Sequence, residues 1–256
     1  MPSLPLFDLT GRRAFITGSS RGIGLAYAHA VAEAGAEVVL NSRKAEDVEK
    51  AVEEMRAAGH KASGYAFDVA DPAAVETYVA KIEAELGPID ILFNNAGVQR
   101  RAPLVEFPIE TWRELMAINL DAVFYLGQAV AKRMIPRGSG KIINTCSLGS
   151  ELARATIAPY TTSKGAVKML TKAMCVEWAK HGIQVNGIGP GYIRTEMNVA
   201  LTQNPEFDAF VKRRTPAGRW GEVDELKGVA IFLAAPASDF VNGQILYVDG
   251  GVLSAM

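Results

Sequence analysis

The sequence predicts an α/β fold: one doubly wound parallel sheet of seven strands flanked by helices. Short runs rich in β-branched residues alternate with helix-length segments along the chain, the pattern of strands joined by crossover helices. A glycine-rich turn joins the first strand directly to the first helix. No linker, repeat or low-complexity tract interrupts the alternation, so residues 1–256 read as a single domain.

The strands are expected at residues 14–17, 37–41, 62–67, 89–93, 141–145, 184–188 and 244–248. Helices are expected near 22–34, 46–58, 73–86, 109–134, 160–180 and 223–234. Gly35 and Gly59 fall where helices would end, and Asp71-Pro72 marks a start. Residues 191–222 differ in texture, with Pro190-Gly191, Asn204-Pro205, Pro216 and Gly218. They read either as a mobile insert over the carboxyl edge of the sheet or as an ordinary surface excursion.

Composition narrows the function classes. Apolar residues make up 49% and charged residues 21%, and 27 basic against 28 acidic residues leave a net charge of −1, so no broad cationic surface exists for nucleic acid. The N-terminal run from Met1 to Asp8 lacks a charged and then apolar leader, and no stretch reaches membrane-spanning length, so the expected location is cytoplasmic. Cys146 and Cys175 are too few for a disulfide framework and read as buried thiols; His29, His60 and His181 are scattered, so no metal site is expected.

The chemistry-bearing residues concentrate in Ser147 and in Tyr160 with Lys164. Residues four apart share a helix face, so the Lys164 ammonium can sit beside the Tyr160 phenol and favour its ionised form. Bringing a phenol from pH ~10 to neutrality takes roughly 4 kcal/mol of selective phenolate stabilisation. The pair alone is also compatible with chance on an amphipathic helix.

Thr17-Gly18-Ser19-Ser20-Arg21-Gly22-Ile23-Gly24 follows the first strand, and its glycines let backbone amides approach a pyrophosphate at a helix N-terminus. In this strand–turn–helix setting it reads as the dinucleotide turn of a Rossmann-type fold, the alternative being structural turn chemistry. After the second strand, Asn41-Ser42-Arg43-Lys44 offers no carboxylate for a ribose diol, whereas Arg43 and Arg21 suit a ribose 2′-phosphate. NADP(H) is therefore expected over NAD; the alternative is a solvated helix start and a surface turn. Asp68 and Val69 are placed to meet the adenine edge, and Asn94-Asn95-Ala96-Gly97 to line the cofactor floor or brace a local turn.

Together these residues resemble the short-chain dehydrogenase/reductase family over practically the whole chain. The match takes in residues 17–24, Asn94-Asn95-Ala96-Gly97, Asn119, Ser147, Tyr160 with Lys164, and Pro190-Gly191. The resemblance implies that Tyr160 is the acid/base, that Ser147 hydrogen-bonds the reacting oxygen, and that Lys164 lowers the Tyr160 pKa and binds nicotinamide ribose. It implies that Asn119 anchors a water relay to Lys164, that Pro190, Gly191, Ile193 and Thr195 hold the nicotinamide half, and that the protein is a homotetramer. The long helices and the apolar end at residues 251–256 suit subunit packing.

A narrower resemblance lies in residues 97–103, 150–154 with 157–160, and 212–221, which look like the bacterial gluconate 5-dehydrogenases, or 5-keto-D-gluconate reductases. It implies NADP-linked interconversion of gluconate and 5-ketogluconate, a small sugar acid whose carboxylate needs a cation. Arg100, Arg101 and Arg154 are candidates, and Glu151, four residues after Ser147, is a candidate acceptor for the polyol. The alternative is that Arg101 and Glu151 pair with one another or with a neighbouring subunit. Other readings are a different sugar-acid dehydrogenase, a 3-oxoacyl-carrier-protein reductase docking its carrier on Arg100, Arg101, Arg213 and Arg214, and a non-catalytic dinucleotide-sensing scaffold.

Overall fold

The computed structural model describes residues 4–255; Met1 to Ser3, which open the N-terminal run, and Met256, the last residue of the apolar C-terminal segment, lie outside the described residues. Strands β1 (Arg13–Ile16), β2 (Glu37–Ser42), β3 (Ala62–Ala66), β4 (Ile91–Asn94), β5 (Gly140–Thr145), β6 (Ile183–Pro190) and β7 (Ile245–Val248) form a seven-stranded sheet. Its order is β3-β2-β1-β4-β5-β6-β7, and every pairing is parallel. The chain winds outward from β1 to β3, then returns to lay β4 on the other side of β1. A crevice therefore opens at the carboxyl ends of β1 and β4, where the winding direction changes.

Successive strand residues feed opposite cores, as the pleat requires. Ile16, Val38, Leu40 and Phe93 pack with Tyr27 and Val31 of α1 (Gly22–Glu33), Val52 and Met55 of α2 (Ala45–Ala57) and Leu233 of α9 (Lys227–Ala234). Phe15, Val39, Leu92 and Ile142 pack on the other face with Val79 of α3 (Pro72–Leu86), Leu126 of α5 (Ala122–Arg137) and Met174 of α6 (Ala158–Trp178). Both faces are covered, which is why the strands read as continuous apolar runs.

The local signals act as their chemistry dictates. Asp71 Oδ1 accepts from the amides of Ala73 and Ala74, capping α3, while Pro72 occupies its first turn. Gly18 holds a left-handed φ of +61° in the β1–α1 turn. Gly24 lies so close beneath that turn that a Cβ would stand 2.3 Å from the Gly18 carbonyl oxygen and 2.5 Å from Asn95 Nδ2.

Two helical expectations change. The single helix expected over 109–134 is α4 (Ile109–Met116) and α5 joined by a π turn, Ala117–Asp121; the extra residue in that turn aims Asn119 at the backbone of Val98. Residues 191–222 are more regular than their proline and glycine content suggested, holding α7 (Val199–Thr202) and α8 (Pro205–Arg214). Asn204 Oδ1 caps α8 by accepting from the Phe207 amide, so Asn204-Pro205 opens a helix. The ends of the excursion are stitched together: Arg194 N donates to Gly221 O and Gly221 N to Tyr192 O.

Candidate active site

A cavity of about 990 Å³ occupies the crevice at the carboxyl edge of the sheet. Gly18, Ser20, Arg21, Gly22, Ile23 and Gly24 form one wall. Thr17 and Asn95 fix this turn: Thr17 Oγ1 accepts from the amides of Asn95 and Ala96, and Asn95 Nδ2 donates to the carbonyls of Thr17 and Gly18. The asparagine-rich stretch thus does both things its sequence allowed, since Asn95, Ala96 and Gly97 also line the cavity. No side chain caps the N-terminus of α1, so its first-turn amides are available to an anion.

At the outer end, Ser42, Arg43, Lys44, Asp68 and Val69 line the cavity together with Arg21 and the acidic Asp47. Neither Arg21 nor Arg43 has an ion-pair partner among the described residues. Two unneutralised guanidiniums beside an uncapped helix N-terminus suit a dinucleotide with an extra phosphate on its adenosine ribose. Pro190, Gly191, Ile193 and Thr195 line the inner end. The residues present therefore fit NADP(H).

The inner floor carries Ser147, Tyr160 and Lys164. Ser147 leaves β5 in extended conformation and its hydroxyl accepts from the Gly149 amide. Tyr160 and Lys164 lie on the first turns of α6, with Lys164 Nζ 5.9 Å from the centre of the Tyr160 ring. Lys164 is buried and donates to the Thr145 carbonyl at 2.6 Å. Burial lowers its pKa to about 8.

The expected Lys164-driven depression of the Tyr160 pKa is corrected by this environment. Although Tyr160 keeps part of its surface on the cavity, desolvation raises its pKa, and the Ser147 hydroxyl offsets that only in part. The ammonium donates to the Thr145 carbonyl and makes no hydrogen bond to the phenol oxygen, which leaves its other N–H groups for a ligand.

Glu151 and Arg100 lie away from the cavity they were expected to line, and Asn119 lies behind its wall. Asn119 is buried and does not line the cavity; its Oδ1 accepts from Val98 N at 2.8 Å, and its Nδ2 donates to Val98 O at 2.9 Å and to Ser163 Oγ at 3.2 Å. Ser163 Oγ in turn donates to the Tyr160 carbonyl at 2.7 Å, so Asn119 reaches the tyrosine backbone and makes no direct bond to Lys164. Glu151 does not line the cavity: it accepts from Lys168 and, at 2.6 Å, from the Tyr247 hydroxyl. The spacing argument fails because residues after Ser147 form a 3-10 turn, Leu148–Ser150, in which residues four apart do not share a face. Arg100 is paired with Glu114 at 2.9 Å, outside the cavity.

Arg101 and Arg154, by contrast, both face the cavity without acidic partners among the described residues. Burial and then the charge of Arg154 lower the Arg101 pKa, which places the two cations in one neighbourhood. Above them lies an apolar roof the sequence reading missed: Tyr192, Phe207, Phe210 and Trp220. Their rings are 5.7 to 6.3 Å apart, and Trp220 is buried with Nε1 donating to Asp208. Four aromatic residues within an otherwise polar excursion were the available signal. The two cysteines also differ in setting, Cys146 being buried and Cys175 only half-buried.

Residues 18–253 match the family described as enoyl-(acyl carrier protein) reductase. The chain is 58% identical to gluconate 5-dehydrogenase of Gluconobacter oxydans, with 96% of each chain covered. It is 51% identical to 5-keto-D-gluconate 5-reductase of Escherichia coli, over 98% of this chain and 99% of that one. Among solved structures, a gluconate 5-dehydrogenase from Burkholderia cenocepacia in complex with NADP and tartrate superposes with a TM-score of 0.97 at 57% identity, covering 99% of both chains. No helix among the described residues is long and apolar enough to cross a membrane.

The Lys164 setting makes stability depend on pH. Its folded pKa of about 8 lies below the ordinary 10.5, so between these values the unfolded chain binds more protons and stability rises with pH. The unfolding free energy of the wild type relative to Lys164→Met should move in the wild type's favour by roughly 2–3 kcal/mol from pH 7 to 10.5, read by urea denaturation. A flat difference would contradict the depressed pKa.

Proposed function

The chain belongs to the short-chain dehydrogenase/reductase family, and on that premise we propose that it interconverts D-gluconate and 5-keto-D-gluconate by NADP(H)-linked hydride transfer. The observation that carries the substrate class is the pair of unpaired guanidiniums, Arg101 and Arg154, on the wall of the cavity that holds Ser147 and Tyr160. A sugar acid presents one carboxylate and a chain of hydroxyls, which match two cations at one end and hydroxyl-bearing side chains at the other. High identity to relatives named for this reaction supports the same reading.

When bound, NADP(H) supplies the hydride or accepts it. Arg21 and Arg43 hold the 2′-phosphate, the amides of Ser20 to Gly24 hold the pyrophosphate, Asp68 and Val69 meet the adenine, and Asn95 to Gly97 support the ribose. Pro190, Gly191, Ile193 and Thr195 position the nicotinamide half. Ser147 Oγ orients the reacting oxygen, and Tyr160 Oη holds or takes the proton. In reduction the Tyr160 phenol gives its proton to the keto oxygen, and in oxidation the phenolate takes the proton of the carbinol hydroxyl. Lys164 supplies a buried cation beneath the ring and a bond to the ribose. Asn119 acts by position, clamping Val98 and, through Ser163, the first turn of α6.

The proposed working form is a cytoplasmic homotetramer. Phe124 on α5 and Met169 and Val176 on α6 are exposed, and the last two are seven residues apart on one helix face, an apolar surface suited to a second copy.

The assay that tests the function follows NADPH at 340 nm with D-gluconate and with 5-keto-D-gluconate, against an acetoacetyl thioester as the competing substrate class. Turnover of the thioester alone would overturn the sugar-acid reading. Tyr160→Phe should fold, bind NADPH as the wild type does and lose about 10²–10⁴-fold in kcat; substantial residual turnover removes Tyr160 from the acid/base role. Arg43→Ala should lower the NADPH-over-NADH preference by at least about tenfold, the loss of one charge-assisted contact; an unchanged ratio excludes the 2′-phosphate clamp. Light scattering should give about four times the 27.4 kDa chain mass, and a monomer mass would discard the tetramer.

A further inference from the structure

Arg154 has two neighbours that compete for nothing. Its guanidinium carbon lies over the Phe207 ring, 4.9 Å from the ring centre. Its N–H groups have no acidic partner among the described residues and remain for an acceptor in the cavity that Arg101 also lines. The loops carrying the two arginines are tied at their bases, where Ala102 N donates to Thr156 O at 3.1 Å. Thr156 holds that bond from a left-handed φ of +71°, a conformation disfavoured for a β-branched residue and held here by its surroundings. Phe207 belongs to α8 and packs against Phe210, Trp220 and Tyr192. Arg154 is thus the point at which the floor loop after Ser147 touches the roof.

We propose that Phe207 is a positioning residue that makes the roof selective for an anionic substrate, by holding the Arg154 guanidinium over its ring at the cavity wall so that it and Arg101 share one carboxylate. The inference rests on the sugar-acid reading above and deepens it. Without a ligand carboxylate, the charge of Arg154 acts on Arg101 unrelieved; one carboxylate removes that repulsion while Arg154 stays on the ring. A neutral polyol of the same length relieves nothing. Selectivity for acid over alcohol then depends on an aromatic ring that never meets the reacting atoms.

The test uses Phe207→Leu, which keeps apolar bulk and removes the ring face, and Phe207→Tyr, which keeps both. Phe207→Leu should raise KM for 5-keto-D-gluconate about five- to tenfold with kcat within about twofold of the wild type, the loss of one half-buried cation–ring contact. NADPH affinity and thermal midpoint should stay near wild type, and Phe207→Tyr should restore KM. Calorimetric titration of the NADPH-loaded enzyme with D-gluconate and with its uncharged counterpart D-glucitol gives a readout independent of turnover. The leucine variant should lose gluconate affinity by the same factor and leave glucitol unchanged.

Equal losses for both ligands, or a tyrosine variant as impaired as leucine, overturn the proposal and reduce Phe207 to packing. A wild type that turns over neither sugar acid yet binds gluconate more tightly than glucitol sinks the reaction assignment alone. Normal gluconate turnover with unaltered KM in Phe207→Leu sinks the positioning role alone. Wild-type binding that does not distinguish the two ligands overturns the shared-carboxylate site itself.

Discussion

A buried ammonium group must be hydrogen-bonded where it lies, and the bond from Lys164 Nζ to the Thr145 carbonyl determines how the site is assembled. Thr145 ends β5 and Lys164 lies on the second turn of α6, so this contact fixes the helix against the carboxyl edge of the sheet. Ser150 Oγ donates to the Lys164 carbonyl and thereby brings the loop after Ser147 onto the same helix. Asn119 reaches the first turn of α6 through Ser163. The serine, the tyrosine and the lysine come from two elements, but these bonds leave them little freedom relative to one another.

The same polar scaffold runs beneath the site. Asn94 Nδ2 donates to Asn144 Oδ1 across β4 and β5, and Asn144 Nδ2 donates to Thr171 Oγ1 on α6. Asn94, Asn144 and Thr171 are buried, and the two bonds among them tie β4, β5 and α6 together. The Asn94-Asn95 pair therefore divides its labour: Asn94 holds the sheet to α6, while Asn95 holds the turn that faces the nucleotide.

Charge at the two ends of the cavity follows a different rule. Acidic residues neutralise several arginines of this protein, as Glu114 does Arg100 and Glu225 does Arg219. Arg21 and Arg43 at one end, and Arg101 and Arg154 at the other, face the cavity without such partners among the described residues. Cations left unpaired beside a concave surface are poised for anionic ligands. Glu151 could have neutralised Arg101 or Arg154, but Lys168 and Tyr247 hold it on the far side of the loop.

The sequence by itself determined the seven strands, their parallel direction, the glycine turn and the identity of the groups on the site floor. Each of these is written in short-range spacing: alternation of apolar runs, a cap beside a proline, glycines at fixed offsets. The tertiary structure decided what depends on distant neighbours. It set the direction of the Tyr160 pKa, because desolvation sums over everything packed around the ring. It turned Asn119 through a π turn that no helical periodicity announces, and turned Glu151 away from the cavity because a 3-10 turn does not obey the four-residue rule. It also brought Phe207, from an excursion some fifty residues further along the chain, onto Arg154. Local spacing specifies which groups exist and on which element; only the packed chain specifies which of them meet.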